Sequence, residues 1–77
     1  MDSGRLLLVQ AQTMATRRAG SRGHVLAPWE PGTRYAGGQQ DWWARCRRCG
    51  GLVWVLGLED GRGVIQDVPE ACDTLTS

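Results

Sequence analysis

The sequence predicts a small all-β domain, two antiparallel hairpins of three to four strands behind a disordered N-terminal arm. Three observations predict it. Short apolar, partly β-branched runs recur at 24–29, 41–46, 52–56 and 64–68, with Gly-, Pro- and Asp-rich breaks between them. The first 22 residues show no sustained period. The chain has 77 residues, enough for one domain. A domain of that size buries roughly 60–65 % of the surface its unfolded chain exposes, so its apolar core alone is marginal and a staple is expected.

Each segment has its own signal. Residues 1–22 are rich in Gly, Ser, Thr, Ala and Arg. Leu6–Met14 offers one or two helical turns, but an isolated helix so short is marginal in water. A flexible basic arm is therefore expected over 1–22, with residues 1–13 dispensable and Met14 an alternative natural start. The domain proper is expected over 23–72. His24-Val25-Leu26-Ala27-Pro28-Trp29 reads as a first strand that Pro28 confines to an edge or a strand end. Glu30 to Gln40, with Pro31-Gly32 and Gly37-Gly38, reads as a loop. Asp41–Cys46 is the second strand. Leu52–Leu56 is apolar on both faces and reads as central. Asp60-Gly61 is a two-residue type I′ turn signal. Val64–Val68 is the return strand, stopped by Pro69, and residues 73–77 form a tail.

Three cysteines and one histidine are the chain's whole stock of soft metal ligands. Cys46-Arg47-Arg48-Cys49-Gly50-Gly51 is a C-x-x-C-G-G knuckle. Two intervening residues let both thiolates face one ion, and the glycines permit positive φ and close backbone approach to sulfur. His24 and Cys72 lie 22 residues before and 23 residues after it. An odd cysteine count prevents complete intramolecular disulfide pairing. A tetrahedral structural Zn2+ site needs four N/S donors, and His24, Cys46, Cys49 and Cys72 supply four. The competing reading of the C-x-x-C pair is redox chemistry, which favours a helix N-terminus after a strand, whereas here a Gly-Gly turn leads into a strand. His24 also has an ordinary reading as a surface or core histidine, and Asp41, Asp67 and Asp73 are then the substitute donors.

Hairpin arithmetic supports convergence. A two-residue turn at Asp60-Gly61 pairs residues whose numbers add to 121, which sets Cys72 opposite Cys49. A first hairpin centred on Tyr35 pairs residues adding to 70, which sets His24 opposite Cys46. Each hairpin thus carries one outlying donor to one end of the knuckle.

Composition narrows the setting. No apolar run approaches a signal peptide or a membrane span, so a reducing cytoplasm, where thiols stay free, is expected. All nine cations are Arg, and Lys, Phe and Asn are absent. A GC-rich genome explains that bias, with selection for Arg chemistry the alternative. Residues 1–22 carry four Arg against one Asp, net +3, and residues 23–77 carry five Arg against seven acids, net −2. Zinc with three thiolates and a neutral imidazole adds one further negative charge, so the domain is expected to be acidic behind a basic arm.

The order Gly23-His24-Val25-Leu26, Trp29, Trp42-Trp43, Cys46-Arg47-Arg48-Cys49-Gly50-Gly51, a hairpin and a closing Cys72 resembles small zinc-ribbon-like proteins of phages of GC-rich actinobacteria. The resemblance spans Gly23 to Cys72. It implies a zinc-ribbon-like fold around one structural zinc in a bacterial host cell, and it implies no enzymatic activity. Ordinary zinc ribbons use two C-x-x-C knuckles, and this chain has one.

Function is expected on the surface rather than at the metal. Trp29, Trp42, Trp43 and Trp54 are too many indoles for a thin sheet to hide, and adjacent Trp42 and Trp43 must face opposite ways. They are candidate anchors for an unidentified protein partner in host or phage machinery; the competing reading is that they cover the core and the metal. The alternative function is nucleic-acid binding through Arg17, Arg18 and Arg22 on the arm and Arg45, Arg47 and Arg48 at the knuckle, with Trp stacking on bases. Those arginines read otherwise as solvated charge that offsets the zinc thiolates. An enzyme would need an open metal position, which arises if His24 is no ligand, and Glu30, Glu59 or Glu70 as the proton-transfer group. No phosphate loop or nucleophilic triad is present, so no catalytic residue, small-molecule substrate or membrane is expected.

Overall fold

A computed structural model describes residues 6–72. The expected tail, and the first five residues of the expected arm, lie outside that range. One helix, α1 (Leu8–Ser21), precedes four strands: β1 (Glu30–Arg34), β2 (Gln40–Arg45), β3 (Leu52–Gly57) and β4 (Gly63–Asp67). The strands form one antiparallel sheet in the order β1-β2-β3-β4. The expected sheet is there, with Leu52–Leu56 inside it, and a helix is added to it.

That helix corrects the expectation of a disordered arm over 1–22. Ala11, Ala15 and Ala19, one per turn, are fully buried against Val53 and Val55. Alanine's lack of bulk lets the helix backbone sit close to the sheet, and tertiary burial supplies what the short helix lacks alone. At the closest approach a Cβ on Gly63 would stand 2.8 Å from Leu8 Cα and 2.9 Å from Ala11 Cβ, so only glycine fits there. Backbone bonds fix the seam: Leu8 N–H donates to the Gly61 carbonyl at 2.9 Å, and Gly63 N–H to the Leu6 carbonyl at 2.8 Å. Six of the helix's 14 residues, 8–13, fall within the lead expected to be dispensable.

The C-terminus of α1 is a Schellman turn. His24 N–H bonds the Ala19 carbonyl, Gly23 N–H bonds the Gly20 carbonyl, each at 3.0 Å, and Gly23 has φ +89°. The first residue beyond this cap is His24.

The first hairpin differs from expectation. Residues 24–29 run extended but make a single bridge, Leu26 to Cys46, and the strand is the expected loop segment Glu30–Arg34. The reason is the turn: Tyr35 N–H bonds the Gln39 carbonyl at 2.8 Å, and Gly37 and Gly38 both take positive φ, which centres the turn near Gly37 instead of Tyr35. Cys46 therefore faces Leu26, two residues from His24.

The second hairpin turns over three residues, closed by Leu58 N–H to the Arg62 carbonyl at 2.7 Å, with positive φ at Gly61 alone. It pairs Val55 with Ile65, and a bulge then restores the expected register at Trp54–Asp67.

The core is thin. Its largest fully buried side chains are Val53, Val55 and Cys46. Among the described residues α1 packs on β3 and β4 from one side, and no helix or strand covers the other face of the sheet.

Candidate metal centre

Four segments meet at one end of the sheet. His24 leaves the cap of α1, Cys46 and Cys49 flank the turn between β2 and β3, and Cys72 follows β4. One ligand atom from each of the four lies within 4.8 Å of all the others. Cys46 Sγ is 3.8 Å from Cys72 Sγ, and Cys49 Sγ is 3.4 Å from His24 Nδ1. All three cysteines are free thiols, so the cluster is arranged to hold a metal ion rather than a disulfide. His24 and Cys46 are buried, Cys72 is half-buried and Cys49 is exposed.

The knuckle is built as its glycines predict, with one difference. Gly50 takes φ +78° and its N–H bonds the Cys46 carbonyl at 3.0 Å. Gly51 has ordinary φ; it is needed for space, since a Cβ there would press Pro69 Cγ at 3.2 Å and Cys49 Sγ at 3.5 Å. Arg48 N–H points at Cys46 Sγ at 3.3 Å, the backbone-to-sulfur bond expected of a knuckle.

His24 is oriented from behind. Its Nε2 lies 2.6 Å from the Glu70 carbonyl. A carbonyl only accepts, so Nε2 carries the proton and Nδ1 presents its lone pair to the cluster. This outer hydrogen bond fixes the tautomer a ligand needs. Composition offers no signal for it, because the acceptor is backbone. What Glu70 contributes to this contact is its backbone carbonyl.

Arg22 changes role. It is half-buried, and its guanidinium Nη1 donates to the carbonyls of Val68 and Pro69, both at 3.0 Å. Cys72 N–H in turn donates to the Arg22 carbonyl at 2.7 Å. Arg22 thus ties the Cys72 segment to the helix cap beside His24, with its Nη1 committed to backbone carbonyls. Its position immediately before Gly23-His24 is the signal that could have marked it.

Electrostatics follow the same geometry. Burial works against a Cys46 thiolate, but backbone N–H groups of Cys49, Arg48 and Val25 and the His24 imidazole overcome it and bring its pKa down to about 5. Burial opposes the His24 cation, yet its contacts with Cys46, the Glu70 carbonyl and Cys49 raise its pKa overall. Cys72 is pushed up to about 11, first by desolvation and then by hydrogen bonds and charge from its two cysteine neighbours. Without metal, Cys72 therefore holds its proton more tightly than Cys46 does.

The other expected site residues are spread out. Trp29 packs on α1 and its Nε1–H reaches Thr16 Oγ1 at 3.3 Å. Trp42 is on the helix side, beside Gly57 and Leu8. Trp43 pairs directly with Trp54 on the uncovered face. All four indoles are half-buried. Arg17 and Arg18 are exposed on α1, Arg45 at the end of β2, and Arg47 and Arg48 on the knuckle. Of the substitute donors, Asp41 is buried and accepts from Tyr35 Oη at 2.6 Å, Asp67 faces Trp54 across the sheet, and Asp73 lies outside the described residues. Among the described residues no helix is long and apolar enough to cross a membrane. In comparisons with protein-family models, curated proteins and solved structures, nothing matches the chain.

Proposed function

We propose that the chain is a zinc-ribbon-like binding module in which one structural Zn2+ clamps the sheet to the helix cap, and whose task is to dock on a protein partner. The observation that carries the zinc reading is the donor spacing. A tetrahedron with Zn–S bonds of about 2.3 Å and a Zn–N bond of about 2.0 Å has S–S edges of about 3.8 Å and S–N edges of about 3.5 Å. The cluster's 3.8 Å and 3.4 Å contacts fit it. Three thiolates and one imidazole suit zinc over harder cations.

Four protein donors close the coordination sphere, so the module is non-enzymatic and its function lies on the surface. Apolar surface is left over there: Trp43 and Trp54 on the uncovered sheet face, and Leu7, Val9 and Met14 on or beside α1, which are 57 %, 69 % and 42 % exposed. Free thiols support a reducing cytoplasm as the setting, and the phage resemblance supports a partner in host or phage machinery. The nucleic-acid reading rests on Arg17, Arg18, Arg45, Arg47 and Arg48, which are exposed, and on Arg22, which is half-buried with Nη1 bonded to backbone carbonyls.

Native mass spectrometry tests the metal: one zinc per chain, removed by chelator and absent from Cys46→Ser. A gel shift with single- and double-stranded DNA at low salt, where electrostatic affinity is greatest, separates the two surface readings. Docking on protein predicts no shift there.

A further inference from the structure

The outer side of α1 has the relief of a helix-packing surface. Val9, Thr13 and Arg17 form an i, i+4, i+8 ridge. It lies about 200° around the helix from the buried Ala11-Ala15-Ala19 stripe, and so points straight outward. A shallow groove runs along each side of it. One, of about 340 Å³, is bounded by Gln12, Thr16 and Trp29, and the other, of about 290 Å³, by Leu6, Gln10 and Met14; the ridge residues line both. Thr13 and Thr16 turn their hydroxyls back to the carbonyls of Val9 and Gln12, at 2.9 and 2.8 Å, and so expose their methyl groups. Arg17 closes both grooves at one end, and among the described residues neither lining contains an acid.

We infer that this surface receives an amphipathic helix of a protein partner, one bearing a carboxylate that meets Arg17. The inference rests on the protein-docking reading above and names its surface and partner chemistry. Two grooves flanking an i±4 ridge are what the i±4 ridges of a second helix fill, at a crossing angle of about −50°. Charge selects the partner's sign. α1 holds two arginines and no acid, so a second copy of α1 brings more cations and no carboxylate. A lipid surface would meet the charge but leave the grooves unfilled.

The test is a display selection of amphipathic helical peptides on the zinc-loaded protein, followed by NMR mapping of the winners. The expected winners carry Glu or Asp at one end of the apolar face and shift Val9, Thr13, Arg17 and the Trp29 indole. Arg17→Glu and Thr13→Tyr, both solvent-facing changes that leave zinc stoichiometry intact, each weaken binding about tenfold. Winners that map to Trp43 and Trp54 overturn this inference and leave the docking reading standing. Failure to select any helical peptide overturns this inference, and capture of no folded partner by the Trp43–Trp54 face as well overturns the docking reading. Winners indifferent to Arg17→Glu, concentration-dependent self-association through α1, or binding to anionic phosphatidylglycerol vesicles in place of peptide also overturn it.

Discussion

The four-donor corner and the helix–sheet seam are built by opposite means. At the corner, four polar side chains from four segments converge, each aimed by a backbone hydrogen bond or a glycine. Along the seam nothing polar is shared between side chains: alanines lie on valines, and the close approach at Gly63 depends on the absence of a Cβ. The corner is specified by chemistry and the seam by lack of bulk. The two meet at the Schellman cap, where the helix ends and His24 begins, so strain in one is felt by the other. With Val53 and Val55 as the largest apolar groups fully buried, the seam is expected to need the proposed metal to carry the fold.

The comparison breaks first if the corner proves unnecessary. Chelating the zinc is expected to abolish cooperative thermal unfolding, because apparent binding of roughly 10–16 kcal/mol in small zinc domains is folding free energy. His24→Ala, which leaves a buried thiolate cluster short of one donor, is expected to do nearly the same. A chelated protein with an unchanged melting curve would make the seam sufficient.

The seam is tested next. A chain starting at Met14 loses Leu8 and Ala11 and the backbone bonds to Gly61 and Gly63. It is expected to lose about 3 kcal/mol or more in denaturant titrations with zinc present. Ala15→Leu, which overpacks the same contact, is expected to cost about 1–3 kcal/mol while one zinc is retained.

Linkage between the two regions is read at Arg22. Arg22→Ala leaves the Val68 and Pro69 carbonyls without their charged donor and frees the Cys72 segment. A loss of about 1–3 kcal/mol is expected, with faster zinc release to a chromophoric chelator. Arg47→Ala on the exposed knuckle is the control and is expected to change stability by about 0.5 kcal/mol or less.

A gentler probe is pH. Cys72 holds its proton up to about 11 in the metal-free cluster and must release it to ligate, so acid opposes binding. Apparent zinc affinity is expected to fall as pH drops from 8 to 6, by about tenfold per unit for each proton released. Calorimetry in buffers of different ionisation enthalpy counts those protons. A pH-independent affinity would remove Cys72 from the ligand set.

The corner was legible because its residue types are rare. One histidine and three cysteines stand out in any count, and C-x-x-C-G-G carries its turn with it. Cys72 does reach the knuckle, but not by strand pairing with Cys49: the β3–β4 pairing reaches only Trp54–Asp67, where a bulge offsets the shift of a three-residue turn, and Cys72 Sγ then lies 3.8 Å from Cys46 Sγ. The first hairpin was not reachable: two Gly residues, not Tyr35, set its turn, and the position of His24 follows from a helix cap instead of strand pairing. The helix was hidden because its buried stripe is alanine, which contrasts only weakly in hydropathy with the Thr, Gln and Arg around it. Its one strong signal lay at the far end, where Gly20 and Gly23 precede His24 with the spacing of a Schellman cap.

X-ray absorption at the zinc edge on the purified protein tests the central claim most directly. The account predicts one zinc with three sulfur neighbours at about 2.3 Å and one imidazole nitrogen at about 2.0 Å, the nitrogen signal vanishing in His24→Ala. Fewer than three sulfurs, a water in the fourth position, or a Cys46–Cys72 disulfide with no bound metal would contradict it.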